Sequence, residues 1–228
     1  MCFKLGNGVS QSEHEGKLLG IPSISTSCLH NERCLARMKN GEAVCSHCFA
    51  MHLMEFRKAL RDAMERNLEA LSDHLFSDEE LEGMTIHFTP KMLELNPNHY
   101  ARIESFGDVR NVIQARNYLR IAKANPWLKW GAWTKNDDLY GEAFELEGKP
   151  ENLSMGYSSL KLNEIADITK LDQRFVENLD FVFTVFTKEY AEEHGILINC
   201  GGRACRTCGT CYEANKSDGI KYINELLK

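Results

Sequence analysis

Leu53, Phe56, Leu60, Met64, Leu68 and Leu71 recur every three or four positions, and Arg57, Lys58, Arg61, Asp62, Glu65 and Arg66 fill the intervening ones. This spacing predicts a long amphipathic helix after Cys48, with Met51 and Met54 at its start as core filler. Farther along, the apolar runs are short and rich in β-branched and aromatic residues. T-I-H-F-T (85–89), A-R-I-E-S-F (101–106), L-K-W-G-A-W-T (128–134), N-L-S-M-G-Y (152–157), F-V-F-T-V-F (181–186) and I-L-I-N (196–199) read as strands. Between them, residues 111–124 read as a helix stopped by Asn125-Pro126, and 188–193 as another. Strands alternating with helices imply a parallel sheet with right-handed crossovers. About six strands leave no room for eight full units, so the expected fold is α/β: a single domain forming a partial, open parallel β/α barrel with cysteine-rich terminal segments. Its parts are a thiol segment at 21–50, a barrel-like core at 51–199 and a second thiol loop at 200–212.

Composition and charge narrow the function classes. The 228 residues are 43% hydrophobic and 26% charged, as in an ordinary globular chain. A net charge of −6 gives no strong field toward nucleic acid or an anionic membrane, so neither partner is indicated. The run 179–186, with Asp180 and Thr184 inside it, is too short to span a bilayer. The first residues lack a basic stretch followed by an apolar one, so the expected location is the cytoplasm. The basic stretch 110–135 and the acidic stretch 137–151 read as solvated faces.

The cysteines change the picture. There are nine, and apart from Cys2 they fall into two groups: Cys28, Cys34, Cys45, Cys48 and Cys200, Cys205, Cys208, Cys211. A chain this large needs no disulfide staples, and closely spaced Cys-x2-Cys pairs suit a metal better. The second group, C-G-G-R-A-C-R-T-C-G-T-C-Y, is one compact run with two successive x2 spacings, as in ferredoxin-type cluster ligation. Gly201, Gly202 and Gly209 suit a loop turning tightly around a cluster, and Arg203 and Arg206 would offset its charge. Zinc, whose ligand spacings overlap with these, is the alternative. The first group is looser. Four thiols would close a metal site completely, whereas three would leave one iron of a cubane open for chemistry. His30, His47 and His52 lie close by and read as polar or packing residues rather than ligands.

The order I-P-S-I-S-T-S-C…C-S-H-C-F-A, then R-I-E-S-F-G-D, then Y-L-R-I-A-K-A-N-P-W-L-K-W-G-A-W-T-K-N, then C-R-T-C-G-T-C-Y resembles the gene-product-eighty-eight family of phage-borne proteins. The pattern is also similar to that of radical S-adenosylmethionine (SAM) proteins, and the resemblance covers residues 21–212. It implies two [4Fe-4S] clusters. The first is held by thiols ending in Cys45 and Cys48, with Cys28 as the family's first cysteine. The second, auxiliary one is held by Cys200, Cys205, Cys208 and Cys211. It also implies a strand-end loop, Ser105, Gly107 and Asp108, that holds the SAM ammonium, and a pocket lined by Thr134, Lys135, Ser158 and Ser159. The activity implied is reductive SAM cleavage and hydrogen abstraction from an unidentified substrate, with a reductase or ferredoxin-like electron donor. The compact C-x3-C-x2-C of ordinary radical SAM enzymes is absent, and Cys28, Cys34, Cys45 and Cys48 are four thiols where three suffice.

Two other functions follow from the residues themselves. One is an electron-transfer, structural or regulatory iron–sulfur protein whose clusters are fully thiolate-ligated; the other is a double zinc module. Several site residues also have plainer readings. Asp108 suits the cap of the helix after it, and Lys135 an exposed surface. Trp127, Trp130 and Trp133 follow a three-residue spacing, and Trp130 and Trp133 fall on opposite faces of a strand, so at least one of them packs in the core. Arg102 and Glu104 share a strand face that would be the polar interior of a barrel.

Overall fold

Among the described residues, seven strands form one sheet whose spatial order is the chain order. They are β1 (Gly6–Asn7), β2 (Pro22–Ile24), β3 (Tyr100–Ile103), β4 (Lys129–Thr134), β5 (Leu153–Ser158), β6 (Phe181–Phe186) and β7 (Lys221–Leu226). The computed structural model describes residues 6–7, 17–41, 43–84, 86–105, 107–201, 203–213 and 219–227. The short β1 runs antiparallel to β2, and every pairing from β2 to β7 is parallel. An unbroken sequential order, with no reversal, is that of a β/α barrel left open.

The helices are α1 (Glu32–Met38), α2 (Phe49–Phe56), α3 (Lys58–Asp73), α4 (Asp78–Glu82), α5 (Pro90–Leu95), α6 (Val112–Ala124), α7 (Asp137–Glu147), α8 (Gln173–Val176), α9 (Lys188–Glu193) and α10 (Cys205–Cys208). Strand periodicity divides the sheet residues between two faces. Ala101, Ile103, Trp130, Ala132, Leu153, Met155, Tyr157 and Val182 pack against Leu71 of α3, Tyr118 and Leu119 of α6, Tyr140 and Phe144 of α7, and Phe175 of α8 in the main core. Tyr100, Trp133 and Phe181 belong to the opposite, inner face, where Tyr100 and Trp133 meet Tyr212 and Trp133 meets Phe181. Trp130 and Trp133 therefore do part to opposite faces.

Several expectations are corrected. Residues 86–89 are irregular, because the Ile86 N–H goes to the Asn125 side chain rather than to a strand ladder; Thr85 lies outside the described residues. The stretch 196–199 is also irregular, with Leu197 exposed. The last parallel strand is instead β7, beyond the second thiol loop, and the first is β2, inside the first thiol segment. The sheet thus overruns the expected 51–199 core at both ends. The long helix breaks at Arg57, whose backbone (φ −117, ψ 76) leaves the helical region, giving α2 and α3. Met51 and Met54 are buried as expected, in a small core with Cys28 and Ala50. Strand β3 stops at Ile103 because Glu104 takes φ 56. That left-handed turn separates Arg102 and Glu104, so they do not share a face. Arg102 lies 3.9 Å over the Trp133 ring on the inner face, while Glu104 is bonded to Gln114 and Tyr118 of α6. No described helix is long and apolar enough to cross a membrane.

Candidate metal centres

The first thiol group stands at the C-terminal ends of the parallel strands. The chain leaves β2 at Ile24, and Cys28 follows in the loop; Asn31 then caps α1, accepting from the N–H groups of Arg33 and Cys34. The same Asn31 donates to the Asp108 carbonyl at 2.7 Å, which ties the Cys34 helix to the loop after β3. On the other side, Val44 N–H donates to Leu160 O at 2.8 Å, seating Cys45 and Cys48 beside the end of β5. The loops after β2, β3, β4 and β5 thus converge around one thiol group, where parallel sheets place their ligands.

Within this group the Cys28 thiol lies within hydrogen-bond reach of Cys34 and Cys48. Those two bonds hold its proton and, with burial, push its pKa well up. Cys48 moves the other way, down to about 6, chiefly by the bond from Cys28. The N–H groups of Ala50 and Met51 also point at its sulfur from the start of α2, without closing a regular cap bond. Burial raises the Cys45 thiol, against the lowering fields of Lys135 and Arg37. Cys28, Cys34 and Cys48 are within hydrogen-bond reach of one another through Cys28, and Cys45 lies beside them in the fields of Cys34 and Cys48 as well as of Lys135 and Arg37. His30 pairs with Glu65 at 3.1 Å, and His47 is exposed.

The residues expected to hold SAM are brought to this mouth, but they differ in what they have left to offer. Asp108 is buried, and burial raises its carboxyl. Its Oδ1 accepts from Thr134 Oγ1 (2.7 Å) and Val109 N (2.8 Å), and its Oδ2 accepts from Lys135 N at 2.8 Å with Arg37 3.5 Å away. Asp108 is thus the organiser of two strand-end loops, and both of its oxygens are engaged. It does not cap α6; Asn111 does, accepting from Gln114 N. Lys135 is half-buried rather than a surface lysine, and its ammonium donates to Ser158 Oγ and to the carbonyls of Ser158 and Ser159. Ser159 is buried and spends its hydroxyl on Thr184 and Ala166 N. Gly107 (φ +82) is required, because a Cβ there would stand 2.7 Å from Thr26 O. Ser105 Oγ is buried with no partner among the described residues, the one expected SAM contact with an uncommitted polar atom. Phe106, in the same loop, lies outside the described residues.

If Asp108 holds the two loops together, Asp108→Asn leaves at least one facing N–H without an acceptor. The expected cost is about 2 kcal/mol, read as a lower denaturant midpoint at unchanged slope.

A second carboxylate, which strand alternation places in the barrel interior, lies beneath the mouth. Glu104 is fully buried and receives four bonds: from Thr26 N (2.9 Å), Thr26 Oγ1 (2.6 Å), Tyr118 OH (2.6 Å) and Gln114 Nε2 (3.1 Å). Burial outweighs those donors and pushes its carboxyl up to about 8. The positive φ at Glu104 turns the side chain back toward α6, and no sequence pattern announces it.

The second thiol group lies on the inner face. Cys200, Cys205, Cys208 and Cys211 line one cavity together with Lys17 and Tyr212. Gly209 (φ +67) ends the single turn of α10, and a Cβ there would stand 2.5 Å from the Tyr100 hydroxyl. Gly202 lies outside the described residues, as does Cys2. Lys17 donates to Cys200 Sγ at 3.1 Å and pairs with Glu225 of β7; these partners raise its pKa against the lowering effect of burial. Burial raises Cys205, and it raises Cys211 to about 12, while the field of Arg102 lowers both. Cys208 ends below its ordinary value: burial opposes the shift, but Thr210 and Arg203 prevail. Lys17 and Arg102 are cations here beyond the Arg203 and Arg206 read from the motif. Lys17 is 183 residues from Cys200, a separation over which spacing carries no signal.

The donor chemistry of both groups, thiols beside buried or half-buried cations, fits a negatively charged thiolate centre. Among the described residues, no three Cys, His, Asp or Glu side chains are already drawn around a single-ion position.

A family model described as gene product 88 matches residues 4–214. No curated protein and no solved structure matches the chain.

Proposed function

The chain belongs to the gene product 88 family, and we propose that it is a two-centre iron–sulfur protein whose first centre works at the mouth of the open barrel, in the manner of radical SAM enzymes. The observation that carries this reading is the convergence of Cys28, Cys34, Cys45 and Cys48 with the loops after β2, β3, β4 and β5. A fold of this kind binds ligands at that end, and a purely structural metal has no need of it. The contacts of Cys28 with Cys34 and Cys48 favour these three as ligands around a cluster with one open iron. Cys45, which the resemblance pairs with Cys48, is then the thiol that chemistry can spare. Held there, a [4Fe-4S] cluster would supply one electron for reductive cleavage of SAM. The chain's own part is to orient that cofactor: Gly107 lets it approach the loop backbone, Ser105 offers a free hydroxyl, and Lys135 and Arg37 supply positive charge for its carboxylate. The second centre, Cys200, Cys205, Cys208 and Cys211, is fully ligated.

One observation favours a second reading, in which both clusters are closed and the protein transfers electrons or serves a structural role. Asp108, the expected partner of the SAM ammonium, already has both oxygens engaged.

Anaerobic purification, followed by iron, sulfide and zinc analysis, tests the metal assignment. Broad absorption near 400 nm with iron and sulfide is expected, whereas a colourless protein with stoichiometric zinc would remove both iron–sulfur readings. Separate Cys→Ser changes at positions 28, 34, 45 and 48 test the open iron. Cys45→Ser is expected to retain the cluster and its electron-paramagnetic-resonance response to SAM, while the other three lose the cluster. If Cys45→Ser also loses it and SAM perturbs no spectrum of the native protein, the closed-cluster reading stands.

A further inference from the structure

The second thiol loop touches the edge strand β7 at one end of the sheet and the turn that leads into β2 at the other. At the outer edge of β7, the N–H groups of Asn199 and Cys200 both donate to Asn224 O (3.2 and 2.9 Å), and Cys200 forms a parallel bridge with Glu225. Five residues later, Cys205 N–H donates to Lys17 O at 2.8 Å, in the segment that enters β2. Lys17 in turn reaches back to Cys200 and Glu225. The loop then lies across the inner face, where Tyr212 stacks on Tyr100 with ring centres 4.7 Å apart. It fills the notch left by Gly131, whose Cβ would stand 2.9 Å from that ring.

The apolar hold on this crossing comes from Tyr212, Cys205 and Cys211, which join a small cluster with Ile21, Tyr100 and Trp133. Between Cys200 and Cys211 there is no residue larger or more apolar than alanine and threonine apart from the two arginines and the thiols themselves. The helix within it, α10, is a single turn. A stretch so poor in core residues does not recover its ordering entropy by burial, and a metal that cross-links its side chains is the usual substitute.

We propose that the second centre is the clasp of the barrel: loading Cys200, Cys205, Cys208 and Cys211 fastens β7 to the segment entering β2 and closes the open side of the sheet. This rests on the reading of that group as a metal centre. It assigns the two centres separate tasks, the first chemical and the second architectural. The clasp would lock the Lys17–Glu225 pair in place across the gap, so that strand closure and charge compensation of the centre share the same residues.

The test uses the full chain, as isolated, after chelation, and after anaerobic reconstitution with ferrous iron and sulfide. Amide hydrogen exchange is read at 221–226 and 17–24. Loading is expected to slow exchange in both segments at least tenfold. The double variant Cys205→Ser/Cys208→Ser should lose one centre's metal and show no slowing, while Cys45→Ser should still show it. The loaded-against-chelated comparison on the unaltered chain holds even where a variant folds poorly. If the double variant loses a centre's metal but loading leaves both segments unchanged in the unaltered chain, the clasp is wrong and the metal reading survives. If the double variant binds as much metal as the unaltered chain, the metal reading of this group fails and the clasp with it.

Discussion

Glu104→Ala is expected to destabilise the fold by about 4 kcal/mol, since it strands Thr26 N, Thr26 Oγ1, Tyr118 OH and Gln114 Nε2 in a buried site. The urea midpoint should fall at unchanged slope, and the loss should reach the first centre, because Thr26 stands two residues before Cys28. Glu104→Gln keeps the shape and isolates the charge. The folded carboxyl is raised to about 8 from the ordinary 4.5. Its contribution is therefore complete below the unfolded value and is lost as the pH rises toward the folded one. Between pH 5 and 8.5 the native protein should lose about 3 kcal/mol relative to Glu104→Gln, whose profile should be the flatter of the two. Parallel profiles for the two proteins would show that Glu104 stays ionised throughout.

Gly156→Ala is the other change expected to be severe. A Cβ at Gly156 would stand 2.0 Å from Phe181 Cε2 and 2.3 Å from Cζ, and real carbon atoms do not approach so closely. Phe181 is fully buried and packs edge-on against Trp133, with ring centres 5.4 Å apart, so its ring has little freedom to withdraw. A cost of about 3 kcal/mol is expected, with a changed near-ultraviolet dichroism signal from Trp133. Phe181→Leu in the same chain should recover part of that cost. The double-mutant cycle is the measurement: additive losses would place the clash elsewhere.

The fold was legible wherever a local pattern decides the outcome. The helix at 111–124, the strands at 128–134, 152–157 and 181–186, and the helix at 188–193 appear within a residue or two of their expected bounds, because apolar periodicity and the Asn125-Pro126 stop act over short range. The misses have a different cause. I-L-I-N at 196–199 has strand composition, but it meets β7 mainly through the Asn199 and Asn224 side chains rather than a backbone ladder, whereas K-Y-I-N-E-L alternates weakly yet completes the β6–β7 ladder. Strand propensity reports fitness for a half-buried pleated surface, and the partner that provides that surface is distant in the chain.

The thiol groups were visible because their residue type and spacing are local, whereas Ser105, Gly107, Asp108, Thr134 and Lys135 were singled out only by the family resemblance. Their division of labour was not visible. The hydrogen bonds that engage Asp108 come from Thr134 and Lys135, more than twenty residues away. The role of Glu104 depends on one positive φ, and that of Lys17 on a contact across the opening of the barrel. By itself the sequence determined that this is an α/β chain with two four-thiol groups and about six strands, since periodicity and cysteine spacing are short-range properties. Only the tertiary structure decided that one group faces the mouth of the sheet while the other lies across its inner face, because burial, charge pairing and strand closure join residues that the chain keeps far apart.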